Sequence, residues 1–261
     1  MWRPSARRSR QSRQPGGGVL SLPRLLVAAA MIPILPAIVS PMKSPSCLPG
    51  DRPPDGRAVR STIICMKNLR QLALAVRAYA NDWDGGLPFV SGADARGINN
   101  WAGQPGSGGH PIRVDQGTLW PYLKHHDVYQ CPSDKGLPSG DNRVPPFKYP
   151  NGFPLSYSMN YRLSKSRVPY KIDDPRIRRP DLMLLFIHEA RQTINDGAFV
   201  WDVEWDKPTG IHFDGANCCY LDGHVKWQSF PMLMNVIRNR PDTSIGPWEW
   251  DPERAWPPEA R

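Results

Sequence analysis

The stretch IHFDGANCCYLDGHVKW, Ile211 to Trp227, brings together side chains that are able to do chemistry. Two histidines, His212 and His224, flank a pair of adjacent cysteines and two Asp-Gly pairs. Imidazole, thiolate and carboxylate groups bind metal ions and also transfer protons in catalysis. The stretch is therefore either a metal or catalytic site, or a β-strand bounded by turns.

The second Asp-Gly pair lies between two apolar segments and predicts a β-hairpin. Asp222 and Gly223 favour a two-residue type I′ turn, in which both residues have positive φ. This turn would pair Cys218 with Trp227 on one apolar face and direct Cys219 to the opposite face. We expect Cys218 to be a small, buried apolar residue.

The same geometry separates the two ends of the predicted strand. Its six residues extend about 20 Å, whereas metal ligands lie within about 2.0–2.6 Å of the ion. We therefore expect His212 and Asp222 to lie at opposite ends of the strand and to bind no common ion. A metal-dependent hydrolase that uses His212, Asp214, Asp222 and His224 is the weakest functional hypothesis.

Two further pairs of residues are candidate sites. Cys65 and Cys131 are the candidates for a disulfide in an exported protein, and two free thiols are the alternative. Asp82 and Asp84 resemble the start of a calcium loop, but the bidentate Glu of an EF-hand is missing. Their pattern favours acids and glycines that end a helix. We predict no catalytic residue, no cofactor and no bound metal.

The net charge of +9 is concentrated near the N-terminus. Residues 1–50 contain seven basic side chains and no acid, while the rest of the chain is nearly neutral. A nucleic-acid binder usually has its basic patch on the folded part, so this distribution argues against one. The basic tail directly precedes the apolar run Val19–Val39, which is long enough to span about 30 Å of hydrocarbon. A cleaved secretory signal is the alternative, and both predict export.

Composition divides the chain into five segments. They are a basic cytoplasmic tail (1–18), a transmembrane or leader helix (19–39), a Pro-rich linker (40–57), an α+β head (58–230) and a Pro/Trp-rich C-terminal tail (231–261).

Within the head, the hydrophobic periodicity changes at Pro88. Before it, apolar residues at steps of three and four predict a helix from about Asp55 to Asp82 with one buried stripe. The stripe contains Val59, Ile63, Met66, Leu69, Leu72, Val76, Tyr79 and Trp83. After Pro88, short apolar segments between turns predict an antiparallel sheet with long loops. These segments are GTLWPYL, VYQCPSD, LSYSMNYRL, LMLLFIHEA, GAFVWDVEW and the stretch quoted first.

Several blocks, in this order, resemble bacterial pseudopilin-like proteins. They are CMKNLRQLALAVRAYANDWDGGLP, LWPYLKHHDVYQCPSD, SYSMNYRL, and His212 followed nine residues later by Asp222 and Gly223. The last block is the mark of the prepilin-type processing-associated C-terminal domain. The resemblance implies a pilin-like fold, with a hydrophobic helix in the inner membrane and an α+β head outside it. It also implies other pseudopilin or secretion-apparatus subunits as partners and no enzymatic activity.

The leader departs from the pattern of that family. Family leaders end in Gly-Phe-Thr-Leu-Ile-Glu and are cut after the Gly. Aligned on the apolar core, Val19 takes the place of the Gly, Leu20 that of the Phe and Arg24 that of the Glu. The resemblance therefore implies a degenerate leader, and we predict that the peptidase leaves this chain uncut.

Two functional hypotheses lead. The first is a non-enzymatic, membrane-anchored pseudopilin-like structural subunit of a type II secretion or type IV pilus-related envelope assembly. It would be single-pass in the inner membrane, with its head in the periplasm or on the cell surface, and would bind no nucleic acid and no small-molecule substrate. The alternative is an exported binding protein that recognises a glycan, a polypeptide or a calcium ion.

Overall fold

The computed structural model describes six stretches of the chain, residues 55–90, 100–103, 111–144, 148–167, 169–200 and 205–239. The chain divides into two compact units, Met1–Asp51 and Arg52–Arg261, and all described residues belong to the second. The predicted tail and membrane helix, with Val19, Leu20 and Arg24, lie outside the described residues. Within the described stretches, no helix is both long enough and apolar enough to cross a membrane.

The first helix, α1 (Gly56–Asp82), begins and ends where the sequence predicts. The Asp55 side chain accepts a hydrogen bond from a backbone N–H of the first turn and so caps the helix. At the other end, Asp84 and Gly85 adopt positive φ values of 52° and 79°. Gly85 N donates to Ala80 O at 2.8 Å, which satisfies one of the last carbonyls of the helix.

The predicted apolar stripe is confirmed at its centre but not at Ile63 or Trp83. Leu69, Leu72 and Val76 are fully buried, whereas Ile63 is 60% and Trp83 43% exposed. At the level of Ile63 the buried face of α1 passes through Cys65, which is fully buried, and Thr62 O accepts a hydrogen bond from Asn217 Nδ2 of β4. Ile63 therefore points away from the sheet.

Five strands in the described residues form one sheet with the order β3-β1-β2-β4-β5. They are β1 Tyr157–Asn160, β2 Leu184–His188, β3 Ala198–Phe199, β4 Gly215–Tyr220 and β5 Val225–Ser229. The α+β class is confirmed, but the prediction of a purely antiparallel sheet is wrong because β3 pairs parallel with β1. Strand β2 is antiparallel to β1. After β2 the chain reverses its direction, so β3, on the other side of β1, runs parallel to β1.

Two predicted strands are helical instead. GTLWPYL contains the short helix α2 (Trp120–Leu123), and VYQCPSD begins in the 3₁₀ turn His126–Tyr129. Pro121 lies in the first turn of α2, where its missing N–H costs no helical hydrogen bond. The predicted C-terminal tail also begins in a helix, α3 (Phe230–Asn239), because this segment packs an apolar face on the sheet.

The core lies on both faces of the sheet. One face packs against α1 and the loops around α2, and the other packs against α3. All six residues of β4 are buried as a result. Strand β4 is therefore the centre of the fold, because α1 and α3 lie on its two faces and β2 and β5 on its two edges.

The hairpin between β4 and β5 forms where predicted, but its loop has three residues. Gly223 N donates to Tyr220 O at 2.8 Å, and Tyr220 N donates to His224 O at 3.0 Å. Gly223 has a φ of +92°, and Asp222 is not among the positive-φ residues. This is a type I turn followed by a glycine bulge, and the predicted type I′ turn is wrong.

The extra loop residue moves the register by one. Cys218 pairs with Lys226 rather than Trp227, and Cys219 pairs with Val225. The shift changes which β5 side chains share a face with each cysteine. Within β4 the two cysteines still alternate, with Cys219 on the α1 side and Cys218 on the α3 side. The burial of Cys218 is confirmed, and Cys219 is buried too because both faces are covered.

Candidate functional site

A compact group of four side chains lies where α1, two loops and the sheet meet. Cys65 is on α1, Cys131 follows the 3₁₀ turn, His188 ends β2, and His212 precedes β4. One sulfur or ring nitrogen from each residue lies within 4.8 Å of all the others. The exposed fraction of each residue is between 0 and 2%. This set of two thiols and two imidazoles is able to hold a metal ion.

The loop that contains Cys131 is fixed to α1 and to β1 by polar contacts. Asn68, one turn after Cys65, donates to the backbone oxygens of Asp127 and Gln130 at 3.0 and 2.9 Å. Cys131 N donates to Ser156 Oγ at 2.9 Å, directly before β1. The asparagine thus satisfies loop carbonyls that would otherwise be buried without partners, and it holds the two thiols together.

A strained turn places His212. Phe213 and Asp214 have φ values of 52° and 53°, in the left-handed region that Phe disfavours strongly and Asp tolerates better. The turn closes with His212 N donating to Gly215 O at 3.2 Å. Trp227 Nε1 donates to His212 O at 2.6 Å and fixes the histidine backbone from β5.

Gly215 allows this turn to pack against β5. A Cβ atom there would lie 2.4 Å from Gln228 O and 2.5 Å from ring atoms of Trp227. Only glycine avoids both contacts without a shift of the neighbouring strand. The glycine of the first Asp-Gly pair therefore has a steric role, whereas Gly223 in the second pair provides a positive φ.

His188 is held from two sides. Its Nε2 lies 2.6 Å from Asp134 Oδ2, and its Nδ1 lies 3.5 Å from Cys65 Sγ. Burial lowers the pKa of His188, but the hydrogen bond to Asp134 and the charge on Cys131 outweigh it and raise the pKa overall. Burial raises the pKa of Asp134, but the hydrogen bond from His188 outweighs it, so this pKa is lowered.

His212 is held in the same way by different partners. Its Nδ1 lies 3.0 Å from Thr62 Oγ1, and its Nε2 lies 3.4 Å from Cys131 Sγ. The Thr62 hydroxyl donates to Ala58 O at 2.9 Å, one turn earlier on α1. The two imidazole rings are 5.1 Å apart between centroids and tilted by 54°. Each histidine therefore presents one nitrogen to the group and the other to a polar partner outside it.

Cys65 and Cys131, the candidate disulfide pair, lie together as free thiols. The hydrogen bond from Cys65 lowers the pKa of Cys131, and the two histidines lower it further. Burial, with the neighbouring Cys131, raises the pKa of Cys65. The adjacency of the two residues agrees with the sequence argument, and their oxidation to a disulfide stays a prediction.

Asp222 and Gly223, which follow His212 by ten and eleven positions, lie at the opposite end of β4. Asp222 accepts from Arg77 Nη1 through its backbone oxygen at 3.0 Å, which ties the hairpin tip to α1. Its side chain lies 2.7 Å from His224 Nδ1, in an exposed pair. His212 and Asp222 thus have separate partners, and the set His212, Asp214, Asp222 and His224 is not grouped as one metal site among the described residues.

Asp82 and Asp84, the weak calcium candidates, each form a polar contact with another side chain. Asp82 Oδ2 accepts from the Tyr122 hydroxyl at 2.8 Å, and Asp84 Oδ2 pairs with Lys171 Nζ at 2.6 Å. The lysine lowers the pKa of Asp84 through this hydrogen bond. Both acids lie at the end of α1, as the helix-terminating interpretation requires.

Sequence reasoning missed the involvement of His188. Its only signal is a histidine at the end of the most apolar segment, LMLLFIHEA, where a buried imidazole needs polar partners. Its partners Cys65 and Asp134 are 123 and 54 residues away. Spacing in the sequence therefore gives no indication of the group.

Comparisons with known proteins leave the group to be interpreted from its own chemistry. No protein-family model matches the chain, and searches of curated proteins and of solved structures find no significant similarity.

Proposed function

We propose that this chain is a non-enzymatic, membrane-anchored pseudopilin-like structural subunit of a type II secretion or type IV pilus-related envelope assembly. Its membrane helix would cross the inner membrane once, with the head in the periplasm or on the cell surface. The strongest support is that sequence segments which resemble pseudopilin-like proteins come into contact in the folded head. Cys65, Cys131 and His212 come from three separate blocks, and their side chains lie in one buried group.

The position of α1 also supports the proposal. Its buried face packs across β4, β2 and β5, and Thr62 O accepts a hydrogen bond from Asn217 of β4. The start of α1 follows directly on the Pro-rich linker and the apolar run 19–39. A long helix packed on a sheet, preceded in the chain by an apolar segment, is what the resemblance implies.

The burial of the four-residue group favours a structural role over a catalytic one. His212, the most exposed member, has 2% of its surface accessible. A substrate has to approach a reacting atom to within about 3–3.5 Å, and these side chains are covered by the chain itself. The group is therefore suited to holding elements together.

The proposal is tested on the full chain in its native membrane. We expect the protein to sediment with inner membranes, to need detergent for release, and to co-purify after cross-linking with secretion-apparatus or pilus subunits. Recovery in the soluble fraction, or as a detergent-extracted protein without such partners, would contradict the assembly role. Intact mass reports the leader separately, since a chain that begins at Leu20 would show that it is cut.

A matched pair of variants sharpens the test. Val27→Asp puts a charge inside the apolar run, which costs about 2.5–3.5 kcal/mol on insertion scales, whereas Val27→Leu keeps the run apolar. We expect Val27→Asp to lose both membrane association and partners and Val27→Leu to keep them. Equal behaviour of the two variants would show that this run does not anchor the chain.

A cleft of about 570 Å³ favours the binding-protein alternative. Its lining includes two cations, Arg191 and Lys207, two acids, Asp134 and Asp214, and the half-exposed Ile211. A glycan or polypeptide that offers polar groups of both kinds fits that chemistry. Retention on immobilised polygalacturonate that Lys207→Glu abolishes and Lys135→Glu preserves would support this function, because Lys135 does not line the cleft.

A further inference from the structure

We propose that Cys65, Cys131, His188 and His212 bind one zinc ion in a closed structural site. The proposal concerns the folded head and stands whether or not the chain joins an envelope assembly. It replaces the sequence-based expectation of no bound metal, which considered only ligands close together in the chain.

The distances between the ligand atoms fit tetrahedral zinc. Bonds of about 2.3 Å to sulfur and about 2.0–2.1 Å to nitrogen place neighbouring S and N ligands about 3.6 Å apart. Cys65 Sγ and His188 Nδ1 are 3.5 Å apart, and Cys131 Sγ and His212 Nε2 are 3.4 Å apart. The separations within the group reach up to 4.8 Å, so small side-chain rotations are enough to close it around an ion.

The hydrogen bond between His188 Nε2 and Asp134 leaves the lone pair of His188 Nδ1 directed at the four-residue group. Asp134, as a carboxylate, only accepts, so His188 Nε2 carries the proton of the 2.6 Å contact. In a neutral imidazole the other nitrogen, Nδ1, then has a free lone pair. That nitrogen is the one that faces Cys65. Histidine ligands of zinc are commonly oriented by a carboxylate in this way.

Thr62 has the same effect on His212. Its hydroxyl proton is used in the bond to Ala58 O, so Thr62 Oγ1 accepts from His212 Nδ1 at 3.0 Å. His212 Nε2 is then unprotonated and faces Cys131. Two histidines on different elements are therefore both fixed in the tautomer that a metal ion requires.

The net charge of the group and the types of its ligands favour zinc over other metal ions. Two thiolates and two neutral imidazoles around Zn²⁺ have a net charge of zero, which limits the cost of burial. Thiolate and imidazole ligands suit zinc, whereas calcium and magnesium require oxygen ligands. Four protein ligands with exposed fractions of 0–2% leave no open coordination position, which is typical of structural and not catalytic zinc.

The strained turn before β4 agrees with this role. Phe213 and Asp214 both have positive φ, a backbone conformation that is strained above all for Phe213. This conformation places His212 within reach of a thiol on a distant loop. A metal bond would offset strain that the contact of an imidazole with a thiol leaves largely uncompensated.

Two metal-free arrangements of the same atoms are the competing outcomes. In one, each thiol donates to a histidine nitrogen, and the protein binds no ion. In the other, Cys65 and Cys131 form the disulfide, which removes both thiolates. Each outcome has its own signature. The first leaves Cys65 and Cys131 as free thiols without metal, and the second leaves both of them oxidised without metal, while Cys218 and Cys219 stay reduced in either case.

The experiment uses the full chain, purified without a histidine tag and without added chelator. Elemental analysis is expected to find one zinc per chain. Exchange with Co²⁺ is expected to give the strong visible bands of tetrahedral cobalt with thiolate-to-cobalt charge transfer in the near ultraviolet. Less than a tenth of an ion per chain and no cobalt spectrum, with reduced thiols, overturns the proposal. A Cys65–Cys131 disulfide in peptide maps of native protein overturns it as well.

Matched variants separate ligands from bystanders. Cys131→Ser and His212→Ala are expected to lose the zinc, while Cys218→Ser and His224→Ala retain one ion per chain. Cys218 is as buried as Cys131 but lies on the other face of the sheet, and His224 is an exposed histidine. Metal retained in the first pair, or lost from all four, contradicts the assignment. The cobalt spectrum of the unaltered chain decides the question if a variant fails to fold.

Asp134 serves as a positioning residue in this site. Asp134→Asn keeps the shape but weakens the hydrogen bond to His188 Nε2, and it should lower zinc affinity by about 10–100-fold. The cobalt bands should keep their positions, since the ligands are unchanged. Unaltered affinity would show that the carboxylate does not orient a metal ligand.

Discussion

The two ends of β4 each place a histidine beside an Asp-Gly pair, but in opposite settings. At the first end, His212 is buried and contacts Thr62 and Cys131, which are 150 and 81 residues away. At the second end, His224 is exposed and contacts Asp222, two residues away. The same residue types thus make a long-range polar core at one end and a local turn at the other. Burial and topology, rather than residue type, determine which histidine has metal-binding geometry.

This contrast depends on α1 lying across β4, so the largest effect is expected when that contact is broken. Leu72→Asp places a charge without a partner in the core and should lower the free energy of unfolding by more than about 3 kcal/mol. Leu74→Asp is the control, because Leu74 is 57% exposed on the same helix. Urea unfolding of both variants measures this, and similar midpoints would mean that α1 does not pack as described.

The buried carboxyl of Asp206 extends the comparison beyond β4, because burial dominates its pKa although the charge of Arg143 acts against the shift. Burial raises the pKa of Asp206 to about 7, with nearby Asp196 adding to the shift, although the hydrogen bond from Val200 N opposes it. Asp134, which has His188 as its partner, shows a lowered pKa instead. A raised acid pKa means that the folded state retains a proton that the unfolded state releases. Stability is therefore lost as pH rises from about 4 through about 7.

Asp206→Asn should remove this pH dependence. Between pH 5 and pH 8 the unaltered chain is expected to lose on the order of 2–3 kcal/mol more stability than the variant. Chemical unfolding at the two pH values measures the difference. Groups distant from Asp206 titrate alike in both proteins, whereas Glu189, whose pKa is raised by burial, lacks in the variant the Asp206 charge that raises it further. Parallel pH profiles would show that Asp206 titrates normally.

The two glycines at the ends of β4 sharpen the contrast between steric and conformational roles. Gly215→Ala forces a Cβ against Gln228 O and Trp227 and should cost about 2–3 kcal/mol. Gly223→Ala meets open space, with Arg77 Nη1 at 3.9 Å, and should cost only about 1 kcal/mol for its positive φ. Thermal unfolding of the pair measures both effects. A larger loss for Gly223→Ala would reverse the assignment of roles.

The smallest effect is expected at the exposed histidine. His224 stacks on Tyr220 with centroids 4.3 Å apart and pairs with Asp222 in solvent. His224→Ala should change stability by less than about 1 kcal/mol. If it destabilises the head as much as His212→Ala does, the two ends are more alike than their burial indicates.

The sequence alone determined the features that depend on near neighbours. The bounds of α1 follow from a capping Asp55, a period near 3.6 and the turn at Gly85, all of which act within a few residues. The hairpin at Gly223 follows from local turn chemistry in the same way. The type of turn did not, because Asp-Gly suits both a two-residue loop and a three-residue loop with a bulge. That single residue decided which β5 side chain pairs with each cysteine.

Only the tertiary structure decided the rest. The parallel pairing of β3 with β1 and the packing of α3 depend on which surfaces the other elements leave to be covered. The group of Cys65, Cys131, His188 and His212 depends on four separate segments meeting around one point. The four residues are separated by 66, 57 and 24 positions along the chain. The entropic cost of closing a loop changes little with such lengths, so the spacing does not predict which of these residues meet.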